Sequence, residues 1–289
     1  VTLILLLSKI FLHKTVAITR GEENNSEFAR IVKEEGGTPI SLPTMKLIPV
    51  DSHHFFEKFS DICTKKYDYY IFMSPNSVDF FVRMVRQNNL THLLDEQLKK
   101  CDVIAIGPST RKKLEENNIF VKWLPNDYSS YGILKLIRKL SLKPGTRIMI
   151  PRSGASNSFL KDKLDSMGIV LDEFYIYYPQ IETINQTWID FSKEMENNKV
   201  KVMIFTSPSA VRYFFSIMEN IVSNFKECFR NIEALISIGP NTTKELVLRK
   251  VVPVESKQHT IEGTLELAKN ILSENRPVEA FRKQIDNNI

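Results

Sequence analysis

The sequence predicts an α/β fold: two flavodoxin-like domains with parallel sheets, related by internal duplication. Three observations carry that reading. Short runs rich in Val, Ile and Phe alternate with segments of helical spacing, the strand-like runs end in Gly or Ser-Pro, and the whole pattern occurs twice. In chain order the strand-like runs are 16–19, 69–73, 102–106, 147–150, 201–205 and 234–238. Each has strand length and composition. Helical spacing follows in Val78, Phe81, Val82 and Val85, in Leu114 after Thr110, in Leu160 and Leu164, and in Val211, Phe214, Phe215 and Met218. Alternating strands and helices imply parallel sheets covered on both faces, in a doubly wound arrangement.

The duplication has one register. Ile71-Phe72-Met73-Ser74-Pro75-Asn76-Ser77-Val78 returns as Ile204-Phe205-Thr206-Ser207-Pro208-Ser209-Ala210-Val211. Ile104-Ala105-Ile106-Gly107-Pro108-Ser109-Thr110 returns as Ile236-Ser237-Ile238-Gly239-Pro240-Asn241-Thr242. Val16–Arg20 matches Ile148–Arg152, Gly132-Ile133-Leu134 matches Gly263-Thr264-Leu265, and Leu47–Pro49 matches Tyr177–Pro179, all within a residue or two of the same offset. Leu142-Lys143-Pro144-Gly145 reads as a tight turn, too short for a comfortable linker between tandem domains. Pro43–Val50 and Asp172–Ile181 are extended and rich in β-formers, and two such crossings would let the first strand and helix join the C-terminal half. Pattern alone leaves the tandem and the crossed arrangements open.

Composition narrows the function. Of 289 residues, 43% are apolar and 25% charged, which excludes a disordered chain, a collagenous one and a polytopic membrane protein. The net charge of +5 is spread without Lys/Arg blocks and favours a small polyanionic ligand at least as much as nucleic acid. Cys63, Cys101 and Cys228 are odd in number and widely spaced, as reduced thiols of a cytoplasmic protein are. Residues 1–14 begin with an apolar run that Lys9 and His13-Lys14 interrupt short of the about 20 residues of a spanning helix, and they are expected to be a dispensable extension.

In an open parallel sheet, ligands sit at the C-terminal ends of strands. Four strands here end in one phrase: Ser74-Pro75-Asn76-Ser77, Gly107-Pro108-Ser109-Thr110, Ser207-Pro208-Ser209 and Gly239-Pro240-Asn241-Thr242. Each puts Ser or Gly at the helix N-cap and Pro in the first turn. The free N–H groups, the hydroxyls and the positive end of the helix dipole suit a carboxylate or phosphate, although good helix capping alone accounts for any single copy. Arg20 and Arg152 end their strands at matching places and could add charge. The histidines His13, His53, His54, His92 and His259 lack metal-ligand spacing, and His53-His54 reads as a solvated helix start. No G-x-G-x-x-G, Walker loop, G-x-S-x-G or H-E-x-x-H is present. Catalysis without a cofactor or metal, or binding without catalysis, remains.

These phrases in this order resemble the uroporphyrinogen-III synthase family. The resemblance runs from VAITR through GGTPISLPTMKLIP, YYIFMSPNSVDFF, VIAIGPSTRKKL and YSSYGILKLI in the first half. It continues in RIMIPRSGASNSFLKDKLDSMGIVLDEFYIYYP, VMIFTSPSAVRYFF, ISIGPNTTKELVL and TIEGTLELA, covering residues 15–273. It implies the crossed arrangement: residues 15–43 with 180–273 as one domain, 50–171 as the other, 44–49 and 172–179 as a two-strand connector, and 1–14 and 274–289 as terminal extensions. It implies a monomeric, cofactor-free lyase that closes linear hydroxymethylbilane into uroporphyrinogen III, with loss of water and inversion of the last ring. Its partner would be that small polycarboxylate, with neither nucleic acid nor membrane involved. The family's tyrosine falls on Tyr175, as proton donor to the leaving hydroxyl; Tyr177 stands where the family phrase usually has Thr. Ser74, Asn76, Ser109, Thr110, Ser207, Asn241, Thr242, Arg20 and Arg152 are the expected substrate-binding residues. The rival reading from another class is a noncatalytic two-domain binding protein for a small polyanion.

Overall fold

The structure, a computed structural model, describes residues 9–21 and 25–273. The chain divides into two compact units, Val1–Lys46 with Ile181–Ile289, and Leu47–Gln180. Each holds a five-stranded sheet.

In the first unit the strands are β1 (Thr15–Ile18), β2 (Thr38–Ser41), β8 (Val200–Phe205), β9 (Ala234–Ser237) and β10 (Val254–Glu255), in the order β10-β9-β8-β1-β2. All the pairs are parallel. β1 therefore lies between β2 and β8, with Ala17 opposite Ile40 on one side and Met203 on the other. Flanked on both sides and covered on both faces, its four residues are all buried. Phe214, at the centre of one core face, meets Trp188, Phe191, Phe205 and Phe225 at ring-centroid distances of 5.8, 5.9, 5.1 and 6.5 Å. The fully buried Trp188 satisfies its indole N–H on the Pro43 carbonyl at 3.1 Å, as a buried polar group must.

In the second unit the strands are β3 (Met45–Pro49), β4 (Tyr69–Phe72), β5 (Asp102–Ala105), β6 (Arg147–Ser153) and β7 (Val170–Ile181), in the order β3-β7-β6-β4-β5. β7, β6, β4 and β5 run parallel to one another. Bonds from Val50 N–H to the Ile176 carbonyl and from Glu182 N–H to the Thr44 carbonyl make β3 and β7 antiparallel. β6 runs past the expected 147–150 to Ser153, with Pro151 inside it. β4 pairs with β6 only at Tyr69 and Tyr70, so one flank of β6 is free of that ladder by Pro151, where a residue without an N–H does no harm. β2 and β10 were not expected as strands. β2 is four residues at a sheet edge and contains Pro39, and β10 is two residues long.

Residues 9–14 correct the expected boundary of the N-terminal extension. Phe11 is fully buried in the core beneath β1, its N–H donates to the Glu35 carbonyl, and its Cβ lies where Gly37 has no side chain. An apolar ring a few residues before a strand anchors that strand, so the fold begins ahead of residue 15. Residues 1–8 and the tail 274–289 lie outside the described residues. Among the described residues, no helix is long and apolar enough to cross a membrane.

Candidate functional site

All four expected helix starts are present. Ser74 caps the helix Pro75–Gln87 in a capping box, its hydroxyl accepting the Ser77 N–H at 3.1 Å. Ser207 caps Pro208–Ile221, accepting from the Ala210 N–H at 3.1 Å and lying 3.1 Å from the Ser209 hydroxyl. Gly107 and Gly239 stand at the N-caps of Pro108–Glu115 and Pro240–Leu248, with no side chain to occupy the first-turn N–H groups. The two Ser-Pro starts are thus closed by their own serines, and the two Gly-Pro starts have no side-chain cap, although at the second the Thr242 N–H already donates to the Gly239 carbonyl at 3.0 Å.

Asn76, Ser109 and Asn241 are exposed beside these starts, whereas Thr110 and Thr242 are each only 2% exposed. Arg20 is exposed just after β1, where the Thr206 hydroxyl donates to the Thr19 carbonyl at 2.7 Å and fixes the ends of β1 and β8 together.

The sequence did not single out the aromatic rings at the Gly-Pro starts. A Cβ on Gly107 would come within 3.2 Å of the Tyr128 ring, and one on Gly239 within 3.3 Å of the His259 ring. Tyr128 and His259 occupy matching places in the duplication, each followed by a hydroxyl (Ser129, Thr260) that accepts the N–H of Gly132 or Gly263. The signal lay in the repeat, hidden because Tyr and His share a shape and not a letter. A second unforeseen feature adjoins Asn76: a depression of about 460 Å³ lined in part by Asp79, Phe80, Arg83 and Arg86. The Arg83 guanidinium lies 4.6 Å from the Phe80 ring centre, a cation–π contact.

The connector tyrosines separate because the β6–β7 register slips where Arg152 and Ser153 pair with Tyr175 and Tyr177, which interrupts the period of two that would otherwise put those two rings on one face. Tyr177 is buried and stacks on Phe80 at 4.6 Å. Tyr178 lies against Gly154, where any Cβ would fall 1.8 Å from its ring. Tyr175 is 38% exposed. Its hydroxyl donates to Glu173 Oε2 at 2.9 Å, and the other carboxylate oxygen takes the Arg152 Nη1–H. The β6–β7 register sets Arg152 opposite Tyr175.

Arg152, expected to offer free charge to a ligand, is instead 8% exposed and spent on Glu173. Glu173 was not foreseen. Accepting the phenol proton, it raises the Tyr175 pKa above its ordinary value, with burial adding to the effect. Among the described residues, no group of three or more His, Cys, Asp or Glu is arranged to hold a metal ion.

A family model described as uroporphyrinogen-III synthase HemD matches residues 26–266. The chain belongs to the uroporphyrinogen-III synthase family. Among its relatives, the uroporphyrinogen-III synthase of Chlorobaculum parvum is 26% identical over 239 residues, covering 81% of this chain and 88% of the relative. That of Synechococcus elongatus is 23% identical, over 87% of this chain and 93% of the relative. Among solved structures, a mutant uroporphyrinogen III synthase of Thermus thermophilus aligns with a TM-score of 0.60 at 17% identity, over 91% of this chain and 100% of that one. The uroporphyrinogen-III synthetase of Helicobacter pylori gives 0.57 at 17%, over 89% and 99%. Those two likenesses establish the α/β fold that the family shares.

Proposed function

We propose that this chain closes hydroxymethylbilane into uroporphyrinogen III, with loss of water and inversion of the last pyrrole ring. The observation that carries the proposal is the family match across residues 26–266. The chemistry asks chiefly for geometry. The hydroxymethyl group leaves, the far ring attacks through its already substituted carbon, and a spiro intermediate fragments and recloses. Unaided closure joins the free α-carbon of the far ring, so the protein's task is to hold the two ends of the chain in the alignment that brings the substituted carbon to the hydroxymethyl group.

The substrate bears carboxylates on every ring. The uncapped Gly-Pro starts, with Ser109, Thr110, Asn241 and Thr242 beside them, supply N–H groups and hydroxyls for such groups. Arg20, Asn76, Arg83 and Arg86 are placed on the surface to add charge and polarity, and Ser74 and Ser207 contribute through the caps they hold. Tyr175 and Tyr178 are the exposed connector tyrosines, and the match to the family phrase favours Tyr175. We further infer that the protein works as a monomer in the cytoplasm, without nucleic acid. Its three cysteines are unpaired, as suits a reducing compartment.

The test is to supply hydroxymethylbilane and separate the products. Uroporphyrinogen III formed faster than spontaneous closure supports the proposal. Type I product alone, at the spontaneous rate, refutes it.

A further inference from the structure

Tyr175 has the wrong polarity for the acid role that the family resemblance assigns it. Its O–H points to Glu173, and Glu173 is held in turn by Arg152. The carboxylate is well fixed: its side chain is 9% exposed, that of Arg152 is 10% exposed, and the register of β6 on β7 sets both beside the phenol. A phenol that donates inward to a carboxylate turns its lone pairs outward. The oxygen facing solvent is then an acceptor enriched in negative charge.

We infer that Glu173 is a positioning residue which fixes the Tyr175 hydroxyl as a hydrogen-bond acceptor, so that Tyr175 steadies the cationic pyrrole and does not protonate the departing hydroxyl. This rests on the synthase reading above. When the C–O bond breaks, its electron pair leaves with oxygen, and the departing group takes a proton from water or from a carboxyl group of the substrate. The ring nitrogen lone pair moves into the ring to form the azafulvenium, whose N–H is more positive than that of the starting pyrrole. An acceptor aimed at that N–H bonds the cation more strongly than the ground state, and only such a difference accelerates the step. The carboxylate behind Tyr175 adds to the effect while keeping its own nucleophilic oxygens turned from the cation. The charged or titratable groups acting on the pair are Arg152 on β6, Glu173 and Tyr178 on β7, and Lys161 on the helix Phe159–Asp165.

Glu173→Gln tests this in the full chain. An amide can donate to the phenol oxygen and release the Tyr175 proton outward, converting acceptor into donor. We expect kcat to fall about tenfold to a hundredfold, the size of one hydrogen bond to a charged group, with KM little changed. Tyr175→Phe should lose a similar factor, and the double variant should lose no more than either alone. If Tyr175 is the acid, Glu173→Gln frees its proton and turnover is kept or rises, which overturns the inference.

A second readout does not depend on activity. The tyrosinate absorbance that Tyr175→Phe removes should titrate at lower pH in Glu173→Gln than in wild type; an unchanged titration refutes the Glu173–Tyr175 link. Were wild type to make no type III product, the synthase reading would fail while this titration still reported on the link. Because Glu173→Gln leaves Arg152 buried without its partner, Arg152→Gln/Glu173→Gln, which removes both charges, serves as the variant should the single one not fold. It should show the same kcat loss and the same lowered titration, and wild-type values for either would contradict the inference.

Discussion

Ser207→Ala and Thr242→Val separate a cap from a ligand contact. The Ser207 hydroxyl accepts the Ala210 N–H at 3.1 Å, so its removal leaves a first-turn donor without its partner. A lost serine cap costs about 1 kcal/mol of stability, equivalent to a fall in Tm of roughly 2–4 °C for a chain of this size. Thr242 is 2% exposed at a helix whose cap is Gly239, and Val keeps its shape, so the loss of stability should be smaller. Substrate affinity should divide the other way. A hydroxyl bonded to a substrate carboxylate contributes about 1.5–3 kcal/mol, so Thr242→Val should weaken binding by roughly tenfold to a hundredfold. Ser207→Ala, with the backbone N–H groups still in place, should weaken it much less. Thermal unfolding and substrate saturation on the same two preparations decide the matter. An unchanged Tm in Ser207→Ala would refute the cap, and wild-type affinity in Thr242→Val would refute the contact.

Phe11→Ala empties a fully buried ring site and should cost about 3–5 kcal/mol; wild-type denaturant stability would show that residues 9–14 are dispensable after all. Gly154→Ala puts a methyl group 1.8 Å from the Tyr178 ring, so the ring must move and turnover should fall more than stability. Tyr177→Phe keeps the stack on Phe80 and should turn over as wild type does, whereas loss of turnover there would shift the functional face of β7 by one residue pair. Removing Arg83 and Arg86 together should raise KM for the polycarboxylate, and more strongly at low salt; no change in KM would take the depression beside Asn76 out of the site. Burial pushes the Cys63 thiol to about 11 and Cys101 to about 12. A thiol whose folded pKa is raised contributes stability in full below its unfolded value of 9.0 and loses it as pH rises through the folded value. Denaturant stability should therefore decline from pH 9 toward 11–12, and Cys63→Ala/Cys101→Ala should flatten that decline.

The sequence made some of this legible and concealed the rest for physical reasons. Ser-Pro and Gly-Pro after an apolar run are local statements about backbone conformation, so the four helix starts were readable from a few adjacent residues. The fold class followed from the same alternation, read twice. Glu173 was not readable in this way. In Phe174-Tyr175-Ile176-Tyr177 the tyrosines announce a strand, and the acid before them looks like a solvated strand end. Its burial depends on Arg152, twenty-one residues earlier, which meets it only through the register of β6 on β7. The period of two from Tyr175 back to Glu173 was the available signal. Arg152 misled for the mirror-image reason: a strand-end arginine reads as free until its partner is known. Phe11 was hidden by its setting, between a lysine at position 9 and another at 14, in a stretch without periodicity.

The central claim is that this chain inverts a ring, and bond connectivity tests that directly. Hydroxymethylbilane labelled with carbon-13 at the hydroxymethyl carbon and at the already substituted α-carbon of the far ring reports which bond has formed. Inversion joins those two carbons, so the predicted result is a one-bond carbon–carbon coupling in the enzymatic product. Two signals without that coupling, as simple closure gives, would contradict it.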